Sequence, residues 1–127
     1  MYLNKKIIMT TNEIAKRLAE LCSKEEYETA QKELYADDAT SIEPMESPMF
    51  AKEIHGLQNI IEKGHKFDSI VETMHSTKVS EPLVAGNSIA FTLTMDVTMK
   101  GRPRETISEL CVYEVKNGKI IKEQFFM

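Results

Sequence analysis

The sequence predicts an α+β domain in which three N-terminal helices pack against one curved antiparallel sheet. Two observations point to this fold class. Apolar residues recur at helical spacing up to about residue 70, and from there to the C-terminus they alternate with polar residues as in strands. A chain of 127 residues, 42% of them apolar, suits a single domain. We therefore expect an N-terminal extension over residues 1–10 and one domain over residues 11–127.

Two capping signals mark the beginnings of the first two helices. The segment Thr10-Thr11-Asn12-Glu13 has the pattern of a capping box, and apolar residues at helical spacing follow it. The first helix is thus predicted from about Thr11 to Cys22. A second signal, Ser23-Lys24-Glu25-Glu26, precedes a helix that is predicted to end near Ala36.

Two prolines interrupt the chain before the third helix. Pro44 and Pro48 do not fit a regular helix, so residues 45–54 are predicted to form a loop or lid. After Gly56, apolar residues at helical spacing predict a helix from Leu57 to about Ile70. We interpret three basic residues of this helix as a solvated face: Lys63, His65 and Lys66.

The C-terminal half of the chain alternates with a period of two. The clearest strand covers residues 89–99, where six apolar residues alternate with Ala, Thr and Asp. Gly101-Arg102-Pro103 and Asn117-Gly118 are turn signals. They delimit two further predicted strands, Glu105–Lys116 and Lys119–Phe126. Upstream, we predict a strand at Met74–Val79 and an irregular segment at Pro82–Asn87.

Composition excludes several classes of function. The net charge is −4, and no run of Lys or Arg is present that could follow a phosphate backbone, so we expect no nucleic-acid partner. No apolar stretch approaches the ~20 residues that span a bilayer, and the first residues lack the features of a secretory signal. We expect a cytoplasmic protein without a membrane partner.

Cysteines and histidines give no metal or cofactor pattern. Cys22 and Cys111 are isolated, the three histidines are scattered, and the sequence has no HExxH motif or glycine-rich phosphate loop. We expect two buried free thiols. We also expect that the protein requires no metal ion and no organic cofactor.

Three motifs together resemble a known family. LYADDAT lies at the predicted end of the second helix, IHGLQNI opens the third helix, and VYEVKNGKI covers the last hairpin. In this order and spacing they resemble the nuclear transport factor 2-like superfamily and, within it, SnoaL-like and ketosteroid isomerase-like proteins. The resemblance extends from about Asn12 to Met127. It implies a cone-shaped curved sheet that encloses a cavity with the three helices.

The resemblance implies a catalytic position for Glu43. This residue falls where ketosteroid isomerases have their general base, directly before a proline. A carboxylate held against apolar walls has a raised pKa and can move a proton next to a carbonyl. Cys111 falls where those enzymes have a protonated aspartate, and Ala19 lies near the position of the partner tyrosine. Because a thiol and a methyl group cannot replace two strong hydrogen-bond donors, steroid isomerisation is disfavoured.

Strand parity and the resemblance suggest the remaining cavity residues. The predicted catalytic residues are Glu43, His75 and Glu109, with His75 or Glu109 as the partner of Glu43. Simpler roles stay open: Glu43 could be an exposed carboxylate at a strand end, His75 could bond to the backbone, and Glu109 and Glu123 could lie at a solvated edge or hairpin position. We expect the pocket to be lined by Phe91, Leu93, Met95, Cys111, Tyr113, Glu123 and Phe125.

These residues favour a small-molecule pocket protein. The leading hypothesis is a cofactor-independent isomerase, lyase or cyclase that uses carboxylate acid/base chemistry on an apolar, carbonyl-bearing substrate. The alternatives are a non-catalytic binding domain for a hydrophobic metabolite and a dimeric assembly module. We also predict a homodimer, because one sheet face mixes small, threonine and aliphatic residues. That face carries Ala90, Thr92, Thr94, Asp96, Thr98, Leu110 and Val112.

Overall fold

The structure, a computed structural model, describes residues 8–127, so most of the predicted extension over residues 1–10 lies outside the described residues. The helices are α1 (Thr11–Ser23), α2 (Tyr27–Leu34) and α3 (Leu57–Ile70). The strands are β1 (Tyr35–Ile42), β2 (Glu53–His55), β3 (Val71–Val79), β4 (Leu83–Ala85), β5 (Ser88–Met99), β6 (Arg104–Lys116) and β7 (Lys119–Phe126). The predicted α+β class, with three helices and a large curved sheet, is confirmed.

The strands form one sheet in the order β2-β1-β7-β6-β5-β3, and β4 also pairs with β5. Neighbouring strands are antiparallel except β1 and β7, which are parallel. The parallel pair brings β1, which directly follows α2, beside the last strand. In this register Ser41 lies opposite Glu123, which places two polar residues on the inner side of the sheet.

The core lies between the inner face of the sheet and the helices. Alternate residues of β5 are buried, as its period of two predicts. They pack against the apolar stripe of α1, which includes Ile14 and Leu18, both at most 1% exposed. The buried residues of β5 are Ile89, Phe91, Leu93, Met95, Val97 and Met99.

Two short strands, β2 and β4, form where irregular segments were predicted. β2 begins at the end of the predicted loop 45–54, extends one residue beyond it, and pairs antiparallel with β1, with Ser41 opposite Ile54. β4 lies within Pro82–Asn87 and pairs with the beginning of β5. Both strands have three residues, so they are too short for a periodic signal, and they form because a longer strand is available as a partner.

Two element boundaries also differ from the prediction. The second helix ends at Leu34, and Tyr35 already has extended backbone angles, whereas the sequence suggested an end near Ala36. The third strand begins at Val71, directly after α3, because Val71 pairs with Met99 at the far end of β5. Both shifts follow from tertiary pairing with a neighbouring strand.

The outer face of the sheet is partly exposed. Leu110 is 41% exposed on this face, and Phe126 is 46% exposed at the end of β7. The homodimer stays a prediction that rests on this face. Within residues 8–127, no helix has both the length and the apolar character that crossing a bilayer requires.

The capping box of α1 generates a stability prediction. The Glu13 N–H donates to Thr10 Oγ1 at 3.1 Å, and the Thr10 N–H donates to Glu13 Oε1 at 2.8 Å. Thr10→Ala removes one acceptor and is expected to lower the free energy of unfolding by about 1 kcal/mol. Thr10→Ser keeps the acceptor and is the matched control. Chemical denaturation of the three proteins measures the effect, and equal stability of all three would contradict this role of the cap.

Candidate functional site

A cavity of about 450 Å³ lies between the inner face of the sheet and the three helices. This volume is within the range of small-molecule pockets. Apolar side chains such as Leu18, Ile60, Phe67 and Met95 form much of its wall. Several charged residues line it, and four of them are central to the site: Lys63 from α3, Glu43 directly after β1, Glu109 from β6 and Glu123 from β7.

The structure places most of the predicted pocket residues in the cavity wall. Six of the seven line it: Leu93, Met95, Cys111, Tyr113, Glu123 and Phe125. Phe91 does not; it is 2% exposed and packs on the Tyr113 ring at a centroid distance of 5.4 Å. Phe91 therefore belongs to the core behind the cavity wall. The alternation of β5 shows which residues face inward, but it does not show which of these reach the cavity.

Two of the three predicted catalytic residues, Glu43 and Glu109, line the cavity, and His75 does not. The His75 ring is exposed, and its Nε2 lies 2.8 Å from Thr98 Oγ1. The register of β3 against β5 shifts between Met74 and Ser76, and Met74 lines the cavity instead. The expected His75–carboxylate pair is corrected, because this irregularity breaks the parity from which it was inferred.

Glu123 is the buried centre of the polar network. Glu123 is only 3% exposed. Its carboxyl group accepts a hydrogen bond from the Tyr35 hydroxyl and another, at 2.5 Å, from Ser41 Oγ. Burial raises the pKa of Glu123, while the Lys63 charge and the two hydroxyl donors oppose that rise. Tyr35 and Ser41 come from β1, so the parallel pairing of β1 with β7 creates this contact.

Lys63 was expected on a solvated helix face, and the structure corrects this expectation. Its side chain is 12% exposed and points into the cavity from α3. Lys63 Nζ donates to Ser41 Oγ at 2.5 Å and lies 3.7 Å from Glu43 Oε2 and 3.9 Å from Glu123 Oε2. The signal was in the sequence, because residue 63 lies three positions after Ile60 and four before Phe67, on the buried stripe of the helix.

Glu109 is a cavity carboxyl group with a strongly raised pKa. Burial raises the pKa of Glu109 to about 7, and the negative charges of Glu43 and Glu123 add to the effect. Lys63 opposes this rise, as does a hydrogen bond from Cys111, whose Sγ lies 3.9 Å from Glu109 Oε1. A group with this pKa can both accept and donate a proton near neutral pH.

The two cysteines are buried free thiols. Burial raises the pKa of Cys22 to about 12, and it also raises that of Cys111. Both thiols therefore stay protonated at neutral pH and are poor nucleophiles. Among residues 8–127, no group of three or more His, Cys, Asp or Glu side chains is arranged to hold a metal ion.

The large curved sheet, with three helices and a cavity on its inner side, has the fold of nuclear transport factor 2-like proteins. Residues 9–127 match the family model of the SnoaL-like domain. The chain therefore belongs to the SnoaL-like domain family, as the three sequence motifs suggested. No curated protein matches the chain.

Solved structures agree with this assignment. A protein from Mesorhizobium loti, described as a candidate SnoaL-like polyketide cyclase and as a carbohydrate phosphatase, is 37% identical, with 94% of this chain and 100% of that chain covered and a TM-score of 0.87. An NTF2-like protein of unknown function from Burkholderia pseudomallei is 18% identical, with coverages of 94% and 92% and a TM-score of 0.78.

A third relative was solved with a small molecule. It is a ketosteroid isomerase-like protein from Catenulispora acidiphila in complex with trimethylamine, and it is 18% identical over 93% of this chain and 87% of that chain, with a TM-score of 0.67. At this identity the similarity shows the fold alone.

The raised pKa of Glu109 predicts a pH-dependent stability. Unfolding lowers this pKa from about 7 to about 4.5, so the fold loses stability as pH rises between these values. Glu109→Gln removes the ionisation, and at pH 8 it is expected to raise the free energy of unfolding by about 1 to 3 kcal/mol relative to wild type. Below about pH 4.5 this gain should vanish.

Urea denaturation at pH 4.5, 6 and 8 measures this difference. Glu114→Gln is the matched control, because Glu114 is exposed on the same strand. A difference between Glu109→Gln and wild type that does not change with pH would contradict the assigned pKa.

Proposed function

We propose that the protein is a cofactor-independent isomerase, lyase or cyclase that moves protons on a small, largely apolar, carbonyl-bearing molecule. The observation that carries the proposal is the set of carboxyl groups inside the cavity. Glu109, with a pKa of about 7, lies near Glu43 and Glu123 in an enclosure with mainly apolar walls. Such a group is suited to acid/base catalysis at neutral pH.

Burying these carboxyl groups has an energetic cost that a purely structural role does not require. An apolar residue at position 109 would fill the wall without the desolvation that raises the pKa of Glu109. Glu123 is different, since hydroxyl donors and Lys63 compensate its burial. Glu109 has only the weak Cys111 thiol as a hydrogen-bond donor among the described residues. This contrast favours a functional role for Glu109.

The charge in the cavity favours a neutral substrate. Even with Glu109 protonated, the acidic residues of the cavity lining outnumber Lys63, so a phosphate monoester would meet like charge. These residues are Glu25, Glu26, Glu28, Glu43, Asp68 and Glu123. This charge disfavours the phosphatase activity that is one description of the Mesorhizobium loti relative, and it is compatible with the cyclase description. Aromatic and aliphatic walls provide the contact area for an apolar skeleton.

The two cavity carboxyl groups take different roles in the proposed reaction. Glu43 removes a proton from the carbon next to the carbonyl group, and Glu109 delivers a proton to the resulting intermediate. Burial, and secondly the charge of Glu43, raise the pKa of Glu109, so Glu109 keeps its proton near neutrality while Glu43 acts as the base. His75 has no part in this mechanism because it lies on the exposed side of β3.

Removal of an α-proton can be tested without the natural substrate. 1-Indanone, an apolar ketone of suitable size, is incubated with the protein in D₂O, and loss of its α-proton signal is followed by NMR. Glu43→Gln keeps the shape and removes the base, so the protein-dependent exchange should fall by about 100-fold or more. Glu114→Gln should exchange at the wild-type rate.

The pH dependence of the same exchange tests the role of Glu109. Because Glu109 must hold the deuteron that it delivers, the protein-dependent rate should fall as pH rises through about 7. A rate that rises through this pH would reverse the assigned roles. Binding of 1-indanone with no exchange above the protein-free rate would favour the non-catalytic binding domain.

A further inference from the structure

Among residues 8–127, Lys63 is the single lysine in the cavity wall, and its ammonium group is held in one place. Its Nζ donates to Ser41 Oγ at 2.5 Å, and Ser41 in turn donates to Glu123 Oε2 at 2.5 Å. The Tyr35 hydroxyl donates to the other oxygen of Glu123. Since Tyr35, Ser41 and Glu123 are each at most 5% exposed, this chain of contacts fixes a normally flexible side chain against the buried sheet.

The ammonium group retains hydrogen-bonding capacity toward the cavity. It has three N–H donors, and Ser41 takes one of them. Glu43 and Glu123 lie 3.7 Å and 3.9 Å away, which attracts the ammonium group but exceeds hydrogen-bond length. The Phe125 ring lies 5.4 Å from Nζ and contributes a cation–π contact. Lys63 can therefore hold its position and still donate to a molecule in the cavity.

We propose that Lys63 binds the carbonyl oxygen of the substrate and stabilises the negative charge that develops on it when Glu43 removes the α-proton. This inference rests on the proposed function and adds a catalytic residue to it. In the step, the C–H bond breaks and its proton goes to the Glu43 carboxylate. The electron pair forms the C=C bond of an enolate, whose oxygen accepts a charge-assisted hydrogen bond from Lys63.

The relative positions of Glu43 and Lys63 suit this step. The carbonyl oxygen and the α-carbon are both bonded to the carbonyl carbon. The base that removes the α-proton and the donor that binds the oxygen must therefore lie close together. The distance of 3.7 Å between Glu43 Oε2 and Lys63 Nζ meets this requirement. A charged donor in an enclosure of low polarity stabilises a developing oxyanion far more than it would in water.

Lys63 would also supply the oxyanion donor that is missing at positions 19 and 111. In the resemblance to ketosteroid isomerases, Cys111 and Ala19 fall at or near the positions of the two oxyanion donors. Cys111 is directed at Glu109, and Ala19 has no donor side chain. Lys63 instead approaches from α3, so a substrate carbonyl would point toward α3 and β1 rather than toward Cys111 on β6.

The test uses 2-naphthol, whose ionised hydroxyl stands in for the enolate oxygen. Absorbance and fluorescence distinguish naphthol from naphtholate, so a pH titration gives the pKa of the bound hydroxyl. We expect Lys63→Met to raise this pKa by about one unit or more relative to the wild-type complex. Lys63→Met should also slow 1-indanone exchange by about 100-fold.

Three further variants separate charge, hydrogen bonding and folding. Lys63→Gln keeps a donor to Ser41 without the charge, so it should also raise the pKa of bound 2-naphthol. This variant serves as the test if Lys63→Met does not fold. Lys63→Arg should restore part of the wild-type effect on this pKa. Lys16→Met, at an exposed position on α1, should leave both readouts unchanged. Thermal melts establish which variants are folded.

The outcomes distinguish this inference from the proposed function. A naphthol pKa that depends on Lys63, in a wild-type protein that does not exchange 1-indanone, would keep Lys63 as the oxygen-binding group and overturn only the proposed catalysis. An unchanged naphthol pKa in folded Lys63→Met and Lys63→Gln would overturn this inference, whatever the exchange rate. Glu43→Gln should lose exchange while its naphthol pKa still depends on Lys63.

Discussion

The structure depends on one buried carboxylate and its compensation. Glu123 lies on the inner face of the sheet, in β7, and is 3% exposed. An unpaired charge at this buried position would cost several kcal/mol. The partners of Glu123 come from two other parts of the chain: Tyr35 and Ser41 from β1, and Lys63 from α3. The network therefore forms only when β1 pairs parallel with β7 and α3 packs against β1, with Lys63 reaching toward β7. Loss of any one partner would leave buried charge or donors unsatisfied, which links the polar network to the fold.

The cavity shows how environment gives one residue type different properties. Glu123 has two hydroxyl donors and a nearby ammonium group, which oppose the effect of burial on its pKa. Glu109, only a few ångströms from the Cys111 thiol, lacks such compensation, and its pKa is about 7. Glu43 lies toward the mouth, where its side chain is 25% exposed and near Lys63. The three glutamates thus divide into a hydrogen-bonded structural group, a group with a pKa near neutrality and a group near the entrance.

Lys63 connects the structural and chemical parts of this arrangement. Its contact with Ser41 belongs to the network that holds β1, β7 and α3 together, while the side chain also lines the cavity. Gly64, the next residue, lines the cavity too, and a Cβ there would meet no atom within 4 Å apart from its chain neighbours and the backbone of its own helix. A charge held in place at a cavity wall is suited to electrostatic stabilisation of a bound molecule.

The sequence by itself determined the elements whose signals are local. The capping box and apolar stripe specified α1, the spacing after Gly56 specified α3, and alternation with turn residues specified β5, β6 and β7. Parity on β6 also placed Glu109, Cys111 and Tyr113 on the cavity side, since a regular strand alternates its faces. The family motifs indicated the fold class and the position of Glu43.

Tertiary structure decided the features that depend on partners distant in sequence. β2 and β4 form only because β1 and β5 offer an edge, and the register shift in β3 turns His75 away from the cavity. The parallel pairing that joins Ser41 to Glu123 has no local signal. Lys63 lies on the buried stripe of α3, but a lysine there is acceptable only because distant carboxylates and a hydroxyl compensate its charge. Periodicity reports which face a residue occupies, whereas charge compensation and strand register are set by residues that the fold brings together from far along the chain.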